Sequence, residues 1–164
     1  MSDVHHGPNG RLPLAALLEA AQEALLAEFR RDLAATGYGD IRPTHGCVFR
    51  FVREDGMRLT ELAHLAGATK QSVGEMVDDL VARGYVERVP DPGDGRAKLI
   101  RLTERGAEAQ RVGFGLFAQL EGRWAERYGA ERLAELRETL EEIVAAEAPD
   151  QVPELARREL AGVE

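Results

Sequence analysis

Four consecutive residues, Thr69-Lys70-Gln71-Ser72, set two hydroxyls, an ammonium and a carboxamide side by side at a helix start. No general base or metal-ligand spacing accompanies them, so the set suits hydrogen bonding rather than bond making. A glutamine amide can pair twice with the exposed edge of adenine, and a lysine can reach guanine or a phosphate. Thr69 has a second reading as a helix cap alone. Further along, Asp94-Gly95-Arg96 and Lys98 fall in a stretch rich in turn formers. A guanidinium there can reach phosphates or a narrow minor groove, while the plain alternative is a solvated charged loop. Asp94 could hold the Arg96 guanidinium in a bidentate pair. On a surface such a pair is worth only ~0–1 kcal/mol, so its value would be orientation. Arg58 and Lys98 are secondary phosphate candidates. Gly74 would allow close backbone approach or mark a neutral surface position, and the acidic Glu75 and Asp78 are expected to face away from phosphates.

Two elements must position these groups. Leu62, Ala63, Leu65 and Ala66 give the buried face of a short helix, with Thr60 as its expected N-cap, and Gly67 ends it. Val73, Met76, Val77, Leu80 and Val81 then recur at helical spacing up to Gly84. Ala63, Gly67 and Val73 supply a small residue at the crossing, a sharp turn and a branched lock, which is helix-turn-helix spacing. An ordinary helical hairpin in a core would read the same. Tyr85–Val89 and Lys98–Leu102 have strand character about a Pro90–Arg96 tip, so a hairpin follows the second helix as a wing would.

The rest of the chain reads as helix. Leu12-Pro13-Leu14 opens one, with Leu14, Leu17, Leu18, Ala21, Leu25 and Phe29 on one face, and Thr36–Asp40 ends it. Arg42-Pro43 starts another to about Arg53. Thr103-Glu104 caps a long helix carrying Val112, Leu116, Phe117, Leu120 and Trp124 to about Tyr128. Gly113 and Gly115 inside it suggest a bend, a cavity or close approach. Leu133, Leu136, Leu140, Ile143 and Val144 form a further helix to about Glu147; Pro149 and Pro153 punctuate the tail, with a short helix expected over Glu154–Leu160. The fold class is therefore mainly α with a small β wing.

Composition bounds the function. The 164 residues carry a formal charge of −8, which argues against a nucleic-acid binder when taken whole. The stretch from Ile41 to Gly106 holds 11 Lys and Arg against 10 Asp and Glu, so the acidity lies in the flanking helices. There is no Gly-rich phosphate loop, no Cys/His metal spacing and no activated nucleophile, so no enzyme, cofactor or metal is expected. His5 and His6 are too few for chelation. One cysteine, Cys47, fits a reducing cytoplasm, and no apolar run or signal pattern directs the chain to a membrane.

The wing residues Asp94-Gly95-Arg96, five further residues, then Leu102-Thr103 resemble the Asp-x-Arg-(x5)-Leu-Thr wing signature of the MarR family of winged-helix transcription regulators. Leu80–Val86, Leu-Val-Ala-Arg-Gly-Tyr-Val, is similar to that family's recognition-helix exit. The resemblance covers roughly Leu12 to Glu147, and its specific part is Leu59 to Thr103. It implies a homodimer, with a helical dimerisation domain beside the winged helix-turn-helix. Residues 1–11 would be a disordered leader, 12–40 and 104–164 the helical dimerisation region, and 41–103 the DNA-binding region. Broad apolar helix faces need such a partner on physical grounds as well. A two-fold dimer should read a pseudopalindromic duplex.

The resemblance also implies a repressor released by a small, often aromatic or phenolic, effector. His45, Phe49, Phe51, Phe117 and Trp124 are the candidates to contact it, with ordinary core packing the alternative for each. Some members sense oxidants through a cysteine near the N-terminal helix; Cys47 lies in the second helix and does not match that pattern. A redox regulator acting through Cys47, and a winged-helix protein–protein module without DNA binding, are the competing functions.

Overall fold

The computed structural model describes residues 11–147. The expected leader, including His5 and His6, and the expected tail helix over Glu154–Leu160 lie outside the described residues. The chain falls into two units, Met1–Asp40 and Ile41–Glu164.

In the first unit, α1 spans Leu14–Ala34, preceded by Pro13 in an extended conformation. Thr36 closes the segment after it: its hydroxyl donates to the Leu33 carbonyl at 2.7 Å and accepts the Tyr38 N–H at 3.1 Å. Leu14, Leu17 and Leu18 are exposed, Leu14 by 67%.

The second unit opens with a 3-10 turn over Pro43–His45 that runs into α2 (Gly46–Phe51). This is shorter than the continuous helix to Arg53 that the sequence suggested; Val52 is already extended. A two-residue strand, β1 (Met57–Arg58), leads directly into α3 (Leu59–Leu65). Thr60 is therefore inside the helix, and Arg58 rather than Thr60 stands at its N-cap, with no side-chain cap bond. The reason is the strand: Met57 and Arg58 are held extended by pairing with Ile100 and Leu99, which fixes where the helix can begin.

Gly67 makes the turn of the helix-turn-helix. Its φ of +59° is left-handed, and the turn is closed by the Ala68 N–H to the Ala63 carbonyl and the Gly67 N–H to the His64 carbonyl, both at 3.1 Å. α4 (Lys70–Ala82) follows, capped by the Thr69 hydroxyl, which accepts from the Ser72 N–H. Val73, Val77 and Leu80 face inward and are fully buried, with Leu62 of α3 and Val48 of α2. The same closing pattern recurs at the end of α4, through the Tyr85 N–H to Leu80 and the Gly84 N–H to Val81.

The wing is β2 (Val86–Asp91) and β3 (Asp94–Leu102), in a three-stranded antiparallel sheet of order β1-β3-β2. Its turn is tighter than the sequence suggested, only Pro92 and Gly93, so Arg96 belongs to β3 together with Lys98 and not to a loose tip. Pairing runs regularly from Val86↔Leu102 to Pro90↔Lys98 and then jumps to Asp91↔Asp94. Gly95, Arg96 and Ala97 have no partner across that jump and form a bulge, which bends the strand and re-aims its side chains. Pro90 sits on β2, an outer strand, where a missing N–H is tolerated.

Thr103 caps the long α5 (Glu104–Tyr128), accepting the Gly106 N–H. Its hydroxyl also lies 2.6 Å from the Gly84 carbonyl, tying the helix start to the end of α4. Gly106 is pressed against this junction: a Cβ there would sit 1.9 Å from the Tyr85 carbonyl oxygen. Gly129 then turns the chain into α6 (Ala130–Glu147), which has no buried residue and joins α5 through Arg137–Glu121 at 2.6 Å. Phe114 and Tyr128 on α5, and Leu136 and Ile143 on α6, are exposed.

Candidate nucleic-acid interface

The first turn of α4 presents Thr69, Lys70, Gln71 and Ser72 to solvent. Hydrogen-bonding side chains are poor helix-interior residues but good caps, and Thr69 satisfies that rule twice, accepting the Ser72 N–H at 3.1 Å and meeting the Ser72 hydroxyl at 2.9 Å. Among the described residues Lys70 has no ion-pair partner, whereas Gln71 already donates to Glu75 at 3.3 Å. Gly74 turns toward α3, where an added methyl would meet Leu59 at an ordinary 3.7 Å. Asp78 is engaged by Arg88 of β2 at 2.5 Å, so this acid binds α4 to the wing.

Asp79 anchors the other side of α4. Its Oδ2 takes His45 Nε2 at 2.9 Å and Arg83 Nε at 3.0 Å, with Arg42 at 3.7 Å. Arg83 first, and then the other cations, hold the Asp79 carboxyl below the usual range. His45 is only 1% exposed, and its Nδ1 accepts the Arg42 N–H at 3.1 Å. That acceptor fixes the tautomer with hydrogen on Nε2. Burial pushes the imidazole pKa down, outweighing the Asp79 charge that raises it.

On the wing, the Asp94 carboxylate accepts the backbone N–H of Arg96 at 3.1 Å and lies 3.7 Å from Arg58. Among the described residues the expected bidentate pair with the Arg96 guanidinium is not formed, and the cation near Asp94 is Arg58. Arg58 itself bonds Asp91, with Nε at 2.7 Å. Arg96 and Lys98 are exposed and, among the described residues, have no ion-pair partner.

The five residues proposed around an effector are not drawn into one cluster. His45 has both nitrogens occupied, and Phe51 is buried core with the Arg50 guanidinium 5.1 Å from its ring. Phe49 packs edge-on against Tyr85 at 5.9 Å, and its carbonyl accepts from Gln110 of α5 at 2.6 Å. Trp124 stands edge-on to Tyr128 at 6.1 Å, roughly 21 Å along α5 from Gln110 at the helical rise. Phe117 is half-buried between those levels. Cys47 lies half-buried, 3.4 Å from the Thr44 carbonyl and 3.6 Å from Met76 sulfur, and burial pushes its thiol pKa up. A thiol so placed is a poor thiolate.

Sequence reasoning missed the Asp79–His45 anchor, the Arg58–Asp91 pair and Arg105, whose guanidinium lies 4.4 Å from the Tyr85 ring and donates to its hydroxyl at 3.0 Å. Spacing along the chain carries no signal for any of these. Among the described residues no group of His, Cys, Asp and Glu could hold a metal ion, and no helix is long and apolar enough to cross a membrane.

Residues 40–97 match the sequence model of the MarR family. The chain is 34% identical over 99 residues to the HTH-type transcriptional regulator PetP of Rhodobacter capsulatus, a match over 56% of this chain and 58% of that protein. The chain thus spans little more than half the length of that relative. Its fold is similar to the crystal structure of transcriptional regulator PA4135, at 29% identity and a TM-score of 0.68, over 84% of this chain and 99% of that one. It is also similar to CouR of Rhodococcus jostii RHA1, bound to p-coumaroyl-CoA, at 26% identity and a TM-score of 0.63, over 80% and 90% of the two chains. A helix-turn-helix closed at Gly67, a three-stranded wing and these likenesses agree: residues 40–97 match the MarR family, and the fold is similar to that of winged helix-turn-helix transcription regulators.

Proposed function

We propose that the protein is a homodimeric, sequence-specific DNA-binding regulator, a repressor released by a small aromatic effector. The observation that carries the DNA reading is the first turn of α4. Lys70, Gln71 and Ser72 are exposed there while Val73, Val77 and Leu80 fix the helix from behind. An α-helix so presented fits a major groove, and Gln71 and Lys70 are the residues to read base edges. Glu75 must release Gln71, a weak exposed hydrogen bond that costs little to exchange. Arg96 and Lys98 on the wing supply phosphate or minor-groove contacts, with Asp94 holding the backbone of Arg96.

Dimerisation is supported by the apolar faces left in water: Leu14, Leu17 and Leu18 on α1, Phe114 on α5, and Leu136 and Ile143 on α6. A second copy of the chain is the occupant that would cover them. Residues 12–40 and 104–164 are accordingly the proposed dimerisation region, and 41–103 the reading head. CouR, which binds p-coumaroyl-CoA in its crystal structure, motivates the effector; Phe117, half-buried midway along α5, is the side chain proposed to meet one, with either Phe49 or Trp124 on one side of it. No observation favours the redox alternative at Cys47.

Selection of duplexes from a random pool, followed by binding titrations over a salt series, tests the proposal. The selected site should be a pseudopalindrome with half-sites about one helical turn apart. Arg96→Ala should weaken binding and make the salt dependence shallower, by about 0.9 in slope for each phosphate that a reading head no longer neutralises. Gln71→Ala should weaken binding mainly to the selected sequence. Absence of binding at low salt would instead favour a protein–protein module.

A further inference from the structure

Arg58 has the composition of a phosphate ligand and a different set of contacts. Its Nε and one terminal nitrogen meet the same Asp91 oxygen at 2.7 and 2.5 Å, and that terminal nitrogen lies 3.7 Å from Asp94. Asp91 is saturated by this: its second oxygen accepts the Gly93 N–H at 2.8 Å, and its side chain is only 12% exposed. Asp94 repeats the pattern, with one oxygen toward Arg58 and the other on the Arg96 N–H. Arg58 lies on β1 and Asp91 on β2, the two outer strands, so the pair crosses β3. Two strand spacings amount to roughly 10 Å, a span that a long, forked side chain can bridge.

One guanidinium therefore bonds the Asp91 carboxylate on one side of the wing's turn and lies within ion-pair distance of Asp94 on the other, and each carboxylate in turn holds a backbone N–H within that turn or bulge. We infer that Arg58 is a positioning residue that braces the wing across its sheet and aims Arg96, rather than a phosphate contact. The functional readout rests on the DNA-binding reading above; the structural readout does not.

The two roles predict opposite signs at Asp91. A brace loses its anchor in Asp91→Asn, so that variant and Arg58→Ala should each weaken duplex binding by about fivefold, the scale of an exposed pair. The double variant should be no worse than either single one, because both remove the same link. Arg58→Lys keeps the charge without the fork and should recover only part of the affinity. If Arg58 touched phosphate, Asp91→Asn would remove a repelling charge and tighten binding, and Arg58→Lys would recover nearly all of it; either result overturns the inference. Without DNA, NMR order parameters of the Gly93 and Arg96 amides should fall in Arg58→Ala while the melting temperature holds. Unchanged amide order would overturn the brace even if the wild type bound no DNA. Failure of the wild type to bind, with amide order reduced in Arg58→Ala, would sink only the DNA reading.

Discussion

Replacing Gly106 by alanine should destabilise the protein, against the direction that helix propensity gives. In an open helix the change is favourable by roughly 0.5–1 kcal/mol, since glycine loses more backbone entropy than alanine on folding. At Gly106 the new methyl would lie 1.9 Å from the Tyr85 carbonyl oxygen and 3.3 Å from a Leu102 methyl. Even a tight contact needs about 3 Å, so the backbone must separate by about 1 Å. That movement opens the hydrogen bonds converging there, the Thr103 N–H to Tyr85 and the Thr103 hydroxyl to the Gly84 carbonyl, at 3.0 and 2.6 Å. Overpacking of this kind costs about 1–3 kcal/mol, which outweighs the propensity gain. For a chain of this length it lowers the melting temperature by about 3–9 °C. Gly115→Ala is the internal control, because its methyl meets nothing within 4 Å; it should leave stability unchanged or raise it. Thermal and urea unfolding of both variants supply the comparison. A Gly106→Ala protein as stable as the control would refute the close approach of α5 to Tyr85.

Other expectations follow from the anchors around α4. Burial holds the His45 pKa below its ordinary value, so the unfolded chain takes up the proton first. Its contribution to stability is complete above about pH 6.5 and is lost as pH falls below that and through the folded pKa. Thermal melts across that window should decline in the wild type and flatten in His45→Gln; a flat wild-type profile contradicts the buried neutral imidazole. Thr69→Ala removes the cap on Ser72 and should cost about 1 kcal/mol by urea titration. Thr69→Ser should restore the stability, and failure to do so would show that the cap is not the cause. Sedimentation should give a dimer for the wild type and a shift toward monomer for Leu17→Glu with Ile143→Glu; a monomeric wild type ends the homodimer proposal.

What could be read from the sequence was local. Gly67, Thr69 and the stripe Val73, Val77, Leu80 locate the second helix of the motif because capping and periodicity act over a few residues. The wing strands were visible, but the bulge over Gly95–Ala97 was not, since it depends on which β2 residue each one faces. The same limit hid the Asp91 partner of Arg58, 33 residues away, and the Asp79 partner of His45. Gly113 and Gly115 stand out in the sequence as helix-interior glycines, yet Gly106 in the first turn is the one whose missing side chain lets Tyr85 approach. At the candidate site, residue types were legible, while their partners were set by packing between distant segments.

Pro90 and the brevity of β1 have a consequence for behaviour at high concentration. A small open sheet offers two rims on which strands of other molecules can line up and grow into aggregates. One rim here is only Met57–Arg58, too short to template much, and the other carries a proline with no amide hydrogen at its position and charged neighbours at Glu87 and Arg88. Exchanging Pro90 for a β-branched residue would lengthen that sticky border, trading slow precipitation for a more regular ladder.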